Sequence, residues 1–260
     1  MHIAQLIRAQ SMEEAWEANQ QRGSRVLGGC CWLRLSPGLR IRQAVDLSVL
    51  GLDQIEEGER EFRIGAMTPL RVLEVSPALD AYAQGAVKEG LRHIVGTQFR
   101  NVATVGGSVC GRFGFSDVLT LLLALHADVE LYRGGRMPLE QFAETGVGTD
   151  ILTHVVIPKE HRRTAYASLR LNATDFPIIA CSVSSDGESL RCAIGARPLR
   201  AQVCCTAESE AKMQGAAETA RKWAASLTYG DNSRGSAAYR KAMASVLSRR
   251  LLQHIWEEQK

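Results

Sequence analysis

The sequence predicts an α+β protein built from three successive parts. Near the start, a short helix and two alternating strands are typical of a small β-α-β unit. From about residue 160, the pattern changes to strands followed by helices, so we place a domain boundary near residue 158. Of the 260 residues, 45% are hydrophobic and 23% are charged, which are ordinary values for a globular protein. A chain of this length can bury a sizeable core without metal or disulfide support.

The first part covers residues 1–55. Residues 11–21 have the pattern of a short capped helix, and Arg25–Leu27 is predicted as a strand that leads into Gly28-Gly29. The alternation in Arg40–Asp46 predicts a second strand.

The second part covers residues 56–158 and mixes strands with helices. A strand at 62–66 ends in Gly65-Ala66, and Pro69 marks a helix start. The run 118–126 is apolar nearly all round, which predicts a buried helix that opens at Ser116-Asp117. The remaining predictions are a helix at 79–91, an extended run at 102–105 that ends in paired glycines, and strands at 128–132 and 150–157.

The third part covers residues 159–260 and predicts a three-stranded antiparallel sheet followed by two helices. The strands are expected at 165–171, 178–184 and 189–194, with a hairpin turn at Asp186-Gly187. Apolar residues at helical spacing between Tyr239 and Leu251 predict an amphipathic final helix.

Composition excludes several classes of protein. The net charge of +3, with dispersed basic residues, argues against a nucleic-acid partner. Seven cysteines without a C-x-x-C pair argue against a disulfide framework, a zinc site or an iron–sulfur cluster held by this chain. With no apolar leader and no membrane-length apolar run, we expect a soluble cytoplasmic protein. Four histidines lack metal-ligand spacing and are interpreted as structural: His93, His126, His154 and His161.

Two glycine pairs, Gly28-Gly29 and Gly106-Gly107, each follow a β-rich run. A phosphate binds where backbone N–H groups converge and no Cβ blocks the approach. Either pair alone is more simply explained as an ordinary turn, but two pairs favour one long diphosphate ligand held from both sides. Neither pair belongs to a Walker loop or a G-x-G-x-x-G turn.

Several segments resemble the FAD-binding medium subunits of molybdenum hydroxylases, the xanthine dehydrogenase and carbon monoxide dehydrogenase type. Arg100–Ser108 (RNVATVGGS) is similar to the signature R-N-x-A-T-x-G-G-N of that family. Other segments agree in the same order: Val26–Gly29 with an A-G-G loop, Ile64–Thr68 with I-G-A-x-T, Ser116–Ala127 with S-D-L…L-L-A-L-D-A, and Arg234–Arg240 with R-x-S-x-x-Y-R.

The resemblance implies a two-part FAD-binding domain of the PCMH or vanillyl-alcohol-oxidase type over residues 1–158, followed by a C-terminal α+β domain. It implies that both glycine loops hold the FAD diphosphate, that three apolar side chains line the flavin, and that an aspartate hydrogen-bonds the cofactor. No catalytic acid–base pair and no metal ligands are implied for this chain. The implied cofactor-binding residues are Leu27, Gly28, Gly29, Cys30, Cys31, Ile94, Val95, Phe99, Thr104, Gly106, Gly107, Ser108 and Asp117. For Ile94, Val95 and Phe99, packing in the core is an equally good explanation. For Asp117, the equal alternative is that it caps a helix.

The resemblance further implies two partners, a molybdopterin-binding large subunit and a [2Fe–2S] small subunit. Electrons would pass from the clusters through FAD to NAD or another acceptor. Two alternatives stay open. One is a stand-alone FAD-dependent reductase, and the other is a flavin-free scaffold subunit, suggested by Cys30-Cys31-Trp32 where the family has a small polar residue.

Overall fold

A computed structural model describes residues 1–160 and 162–257. The strands are β1 (His2–Arg8), β2 (Ser24–Leu27), β3 (Arg40–Asp46), β4 (Ile55–Glu57), β5 (Glu61–Gly65), β6 (Asp128–Leu131), β7 (Gly135–Pro138), β8 (Leu152–Pro158), β9 (Arg163–Leu169), β10 (Ile179–Ser185), β11 (Ser189–Gly195) and β12 (Gln202–Ala207). The helices are α1 (Met12–Asn19), α2 (Leu70–Glu74), α3 (Pro77–Tyr82), α4 (Ala86–Leu91), α5 (Thr97–Arg100), α6 (Val105–Gly111), α7 (Asp117–Ala124), α8 (Leu139–Thr145), α9 (Glu208–Gln214), α10 (Ala216–Ser226) and α11 (Ala237–Glu257).

The described chain divides into two compact units, each assembled from separate segments. The first unit comprises Met1–Val72, Thr97–Gly111 and Ala127–Ile157. The second unit comprises Leu73–Gly96, Arg112–His126 and the described residues from Pro158 onward. A simple boundary at residue 158, with one domain on each side, stays a prediction.

The first unit contains two sheets. Three parallel strands lie in the order β1-β3-β2, and α1 packs on one face of this sheet through Ala15 and Trp16 against Val26 and Val45. The helix begins at Ser11, whose hydroxyl accepts a hydrogen bond from the N–H of Glu14. The other sheet has the strand order β4-β5-β8-β6-β7. The predicted strands at 25–27, 40–46, 62–66, 128–132 and 150–157 are confirmed to within a few residues, but strand β1 was not predicted.

The second unit is built on one antiparallel sheet with helices on both faces. Its strand order is β12-β11-β10-β9, so the predicted three-stranded sheet is wrong by one strand. All seven residues of β10 are buried, since α11 packs on one face and α7 on the other. Three helices rather than two follow the sheet, because α9 precedes α10 and α11.

Helix α7 is buried on every side, as its sequence predicted. The Ser116 hydroxyl accepts a hydrogen bond from the N–H of Leu119, which begins the helix. The helix predicted over 79–91 is divided into α3 and α4, because Gln84 and Gly85 both adopt positive φ angles. In the described part of the chain, no helix is both long and apolar enough to span a bilayer.

Candidate functional site

The two glycine loops lie against each other in the first unit. A Cβ on Gly28 would lie 2.8 Å from Oγ1 of Thr104 and 3.3 Å from Cα of Gly107. A Cβ on Gly29 would overlap the carbonyl oxygen of Val102. The two backbones therefore approach each other as closely as only glycine permits. The structure brings together the two segments that the sequence predicts as halves of one phosphate cradle.

The second loop differs from its predicted conformation. The run Val102–Val105 is not a strand, and Gly106 and Gly107 lie in the first turn of α6 rather than in a turn before it. The reason lies in Thr104, whose hydroxyl accepts a hydrogen bond from the N–H of Gly107 at 3.1 Å. This capping contact favours a helix start over the β preference of the flanking valines.

The N–H groups at the start of α6 are used within the protein. Those of Val105 and Gly106 donate to the carbonyl oxygens of Thr68 and Ala66, at 3.0 and 2.8 Å. The Ser108 hydroxyl donates to the carbonyl of Thr104 at 2.9 Å. The second loop thus exposes Gly107, which has no side chain, and most of its backbone N–H groups are already hydrogen-bonded within the protein.

The first loop has the opposite character. Within the described residues, no hydrogen bond is found from the backbone N–H groups of Gly28, Gly29, Cys30 or Cys31. Cys30 has a φ of 55°, so the chain enters the left-handed region just after the glycines. Successive N–H groups around such a residue form the concave nests that bind anions. The unpaired donors of the cradle are therefore concentrated in this loop.

The two cysteine thiols of this loop contact backbone carbonyl oxygens of the loop itself. The thiol of Cys30 contacts the carbonyl oxygen of Gly28 at 3.3 Å, and the thiol of Cys31 contacts that of Gly29 at 3.5 Å. Burial raises the pKa of both thiols, so they stay protonated at neutral pH. Replacing a small polar residue with cysteine therefore changes the side chains of the loop without consuming its backbone donors.

The segment Ile64–Thr68 packs directly against the second loop. A Cβ on Gly106 would lie 2.7 Å from both the Cβ and the carbonyl oxygen of Ala66. Pro69 forms an isolated antiparallel bridge with Thr104, and the N–H of Leu70 donates to the carbonyl of Ala103 at 2.8 Å. These contacts hold the two segments side by side.

A second group of candidate residues surrounds Asp117 in the second unit. Asp117 is 5% exposed, and its Oδ1 accepts hydrogen bonds from the Tyr166 hydroxyl and from Nη2 of Arg170, the latter at 2.6 Å. Burial raises the pKa of Asp117, while Arg170, Tyr166 and His93 oppose that rise. Because a guanidinium keeps its proton at all physiological pH values, Asp117 and Arg170 form a buried ion pair.

The three apolar candidates do not share one environment. Ile94 and Val95 follow α4 in the second unit, whereas Phe99 lies in α5 of the first unit and is half-buried. Val95 is 44% exposed and has a φ of 52°. A β-branched residue with positive φ is a strained conformation, and such strain clusters at binding sites.

Sequence reasoning missed Tyr166 and Arg170. They lie four residues apart, at and just beyond β9, so both side chains point to the same face of the sheet. An arginine that follows a buried strand needs a counter-charge, and this is the signal that could have paired it with Asp117.

Among the described residues, no group of three or more His, Cys, Asp or Glu side chains is arranged to hold a metal. His93, His126 and His154 each contact or face carboxylates, which agrees with structural roles. His161 lies outside the described residues.

Comparisons with known proteins point to one family. Residues 2–160 match the model of the FAD binding domain in molybdopterin dehydrogenase. The medium subunit of nicotine 6-hydroxylase from Paenarthrobacter nicotinovorans is 26% identical over 93% of both chains. A putative xanthine dehydrogenase FAD-binding subunit of Escherichia coli K12 is 31% identical over 63% of both chains. A chain of quinoline 2-oxidoreductase from Pseudomonas putida 86 has the same fold, with a TM-score of 0.84 at 17% identity over 98% of this chain and 97% of its own.

Proposed function

The chain belongs to the family of FAD-binding domains in molybdopterin dehydrogenases, and from this premise we propose that it is the FAD-binding, electron-transfer subunit of a molybdenum hydroxylase complex. The observation that carries the proposal is the set of unpaired backbone donors in the first glycine loop, which faces a Cβ-free surface of the second loop. A diphosphate needs converging N–H groups and a close approach to the backbone. The unpaired N–H groups of the first loop and the close approach of the two glycine loops support this role.

The residues divide the binding of FAD between them. The N–H groups of the loop from Leu27 to Cys31 bind the diphosphate, and Thr104, Gly106, Gly107 and Ser108 form the facing wall. The Thr104 hydroxyl accepts a bond from Gly107 and keeps its own proton available for a phosphate oxygen. Ile94, Val95 and Phe99 line the flavin, and Asp117 accepts a hydrogen bond from the cofactor.

The proposal extends to the partners and the domain organisation. Bound FAD would accept electrons singly from a [2Fe–2S] partner subunit and release them as a pair to NAD or another acceptor. A separate large subunit would carry the molybdopterin and the site of substrate hydroxylation, as the family resemblance implies. Residues 1–158 would form the PCMH-type domain and residues 159–260 the C-terminal domain, in the cytoplasm.

The test is the flavin content of the purified chain. We expect the yellow absorption of an oxidised flavin, bleached by dithionite, either as purified or after reconstitution with FAD. Gly107→Asp should reduce FAD affinity by roughly tenfold or more, because it places a carboxylate at an exposed face of the cradle. Gln141→Glu, an equal charge on the exposed surface of α8, should leave binding unchanged.

A colourless protein that cannot be reconstituted would overturn the proposal in favour of the flavin-free scaffold. Purification from its native source distinguishes the remaining alternative. The proposed subunit should co-purify with molybdopterin and iron–sulfur proteins, whereas a stand-alone reductase should purify alone with its flavin.

A further inference from the structure

The two oxygens of the buried Asp117 carboxylate have different surroundings. Oδ1 accepts two hydrogen bonds, from Tyr166 and Arg170. Within the described residues, Oδ2 accepts no hydrogen bond. It keeps a small contact with solvent, so a ligand atom could reach it. The Asp117 side chain is 95% buried, so little water is available to Oδ2 in place of a protein donor, and such a shortage is costly. An open lone pair in such a place is what a ligand with a hydroxyl or N–H group would satisfy.

Arg170 is held in place by further contacts, so its charge is fixed in space. Its Nη1 donates to the carbonyl of Asp175 at 2.6 Å, and its Nε donates to the hydroxyl of Ser168 at 3.1 Å. Asp175 in turn pairs with Nη2 of Arg234 at 3.1 Å, and the guanidinium of Arg234 lies 4.9 Å from the ring centroid of Phe176. All three nitrogens of Arg170 are committed, which leaves Asp117 Oδ2 as the open polar atom of the group.

Resting on the proposed function, we propose that Tyr166 and Arg170 are positioning residues that occupy Oδ1 of Asp117 and thereby present Oδ2 as the hydrogen-bond acceptor for a hydroxyl or N–H group of bound FAD. The ion pair keeps the carboxylate charged in a buried position, and the two donors fix the rotation of the carboxylate plane. Neither positioning residue touches the cofactor in this arrangement. Asp117 also begins α7, so its backbone is fixed by the Ser116 cap while its side chain is fixed by β9 and Arg170.

The proposal predicts how FAD affinity depends on pH. The groups that face Asp117 are Tyr166 and Arg170, together with His93 beyond α4. Removal of either donor raises the pKa of Asp117 further, because burial is then less opposed. A protonated carboxylic acid is a poorer acceptor, so FAD affinity falls as pH decreases through that pKa. The pH midpoint of FAD binding should therefore move upward in the variants.

The experiment titrates FAD into the deflavinated full-length chain between pH 5 and 9. Tyr166→Phe, which removes only one oxygen, should raise the Kd by about tenfold and shift the pH midpoint upward. Arg170→Gln should have a larger effect on both, Arg170→Lys should restore part of the affinity, and Asp117→Asn should bind weakly without the pH dependence. Arg162→Gln is the matched control, because Arg162 is a buried, doubly ion-paired arginine beside the same strand.

The outcomes separate this inference from the proposed function. If the wild-type chain binds no FAD at any pH, both are overturned. If the wild type binds FAD, and Tyr166→Phe and Arg170→Gln show the affinity and pH midpoint of Arg162→Gln, only the positioning role is overturned. An equal loss of affinity at every pH would indicate a merely structural role and would also overturn the inference. Thermal melts of each variant establish that the comparison is made on folded protein.

Discussion

The backbone of the first loop, more than any side chain, carries the proposed phosphate site. Gly28 and Gly29 keep side chains out, and Cys30 turns the chain into the left-handed region. The donors that result are N–H groups, which every residue except proline carries. Replacement of the usual small polar residue by cysteine therefore leaves the proposed anion-binding donors in place. The first loop, whose sequence is the less typical of the family, therefore supplies most of the proposed backbone donors to the diphosphate.

Gly29 is the residue at which this close approach is most sensitive to substitution. Gly29→Ala would place a Cβ on the Val102 carbonyl, so the two loops must separate. We expect a loss of about 1–3 kcal/mol in the free energy of unfolding, together with weaker FAD binding. Gly107→Ala is the paired control, because its Cβ would lie no closer than 3.1 Å to the Thr104 hydroxyl and a helical alanine is favourable. Equal stability losses in urea denaturation would contradict the steric account.

At the scale of elements, sequence patterns identify what is regular and miss what depends on tertiary contact. Strand β3 was predictable from its alternation, and helix α7 was predictable from a run that is apolar nearly all round. Strand β1 was missed because it is a mostly exposed edge strand and lacks a clear buried face. Strand β12 is another such case, with exposed and half-buried residues at the edge of its sheet.

In the candidate site, too, the features set by local sequence were predictable and those set by tertiary contacts were not. Its glycine pairs were recognisable from local sequence and from the family resemblance. The unpaired donors of the first loop were not, because whether an N–H is free depends on every neighbouring segment. Tyr166 and Arg170 were missed for the same reason, since about 50 residues separate them from Asp117.

The hairpin between β10 and β11 gives a prediction for the dependence of stability on pH. Asp186 accepts hydrogen bonds from the N–H groups of Glu188 and Ser189 and from the Ser189 hydroxyl, and it pairs with Arg162. Burial alone would raise the pKa of Asp186, but these donors outweigh it and lower the pKa to about 2. The usual value is about 3.9 in an unfolded chain. The stabilisation is therefore complete above about pH 4 and is lost as pH falls toward 2.

Asp186→Asn should lower the free energy of unfolding at pH 7 by about 1–2 kcal/mol and flatten its dependence on pH between about 4 and 2. Urea denaturation over that pH range measures both effects. Asp53→Asn, a change at an exposed carboxylate, should leave the curve unchanged. A variant at position 186 with the wild-type acid dependence would refute the assignment.

For the molecule as a whole, the main feature is that each compact unit draws on three separate segments of the chain. Helices α4 and α7 precede residue 158, yet they pack on β9, β10 and β11, which follow it. The sheet of the second unit is thus covered on one face by residues from the first half of the sequence. Neither half of the chain contains a complete second unit.

A protease site inserted between Pro158 and Lys159 tests this arrangement. After cleavage, the two fragments should elute together in gel filtration, because α7 and the sheet bury each other. The fragment 1–158 expressed alone should retain the complete first unit but aggregate, since the eight buried residues of α7 lose their covering strands. Fragments that separate under native conditions would show that the boundary divides two independent domains.

The burial of α7 also sets an order of events during synthesis. This helix is complete at residue 124, but the strands that cover it end only at residues 185 and 195. At about 5–20 residues per second, a ribosome needs roughly 4–14 seconds to travel from the end of the helix to the end of β11. Throughout that interval, this apolar helix has no sheet to pack against, which exposes it to non-native contacts and aggregation.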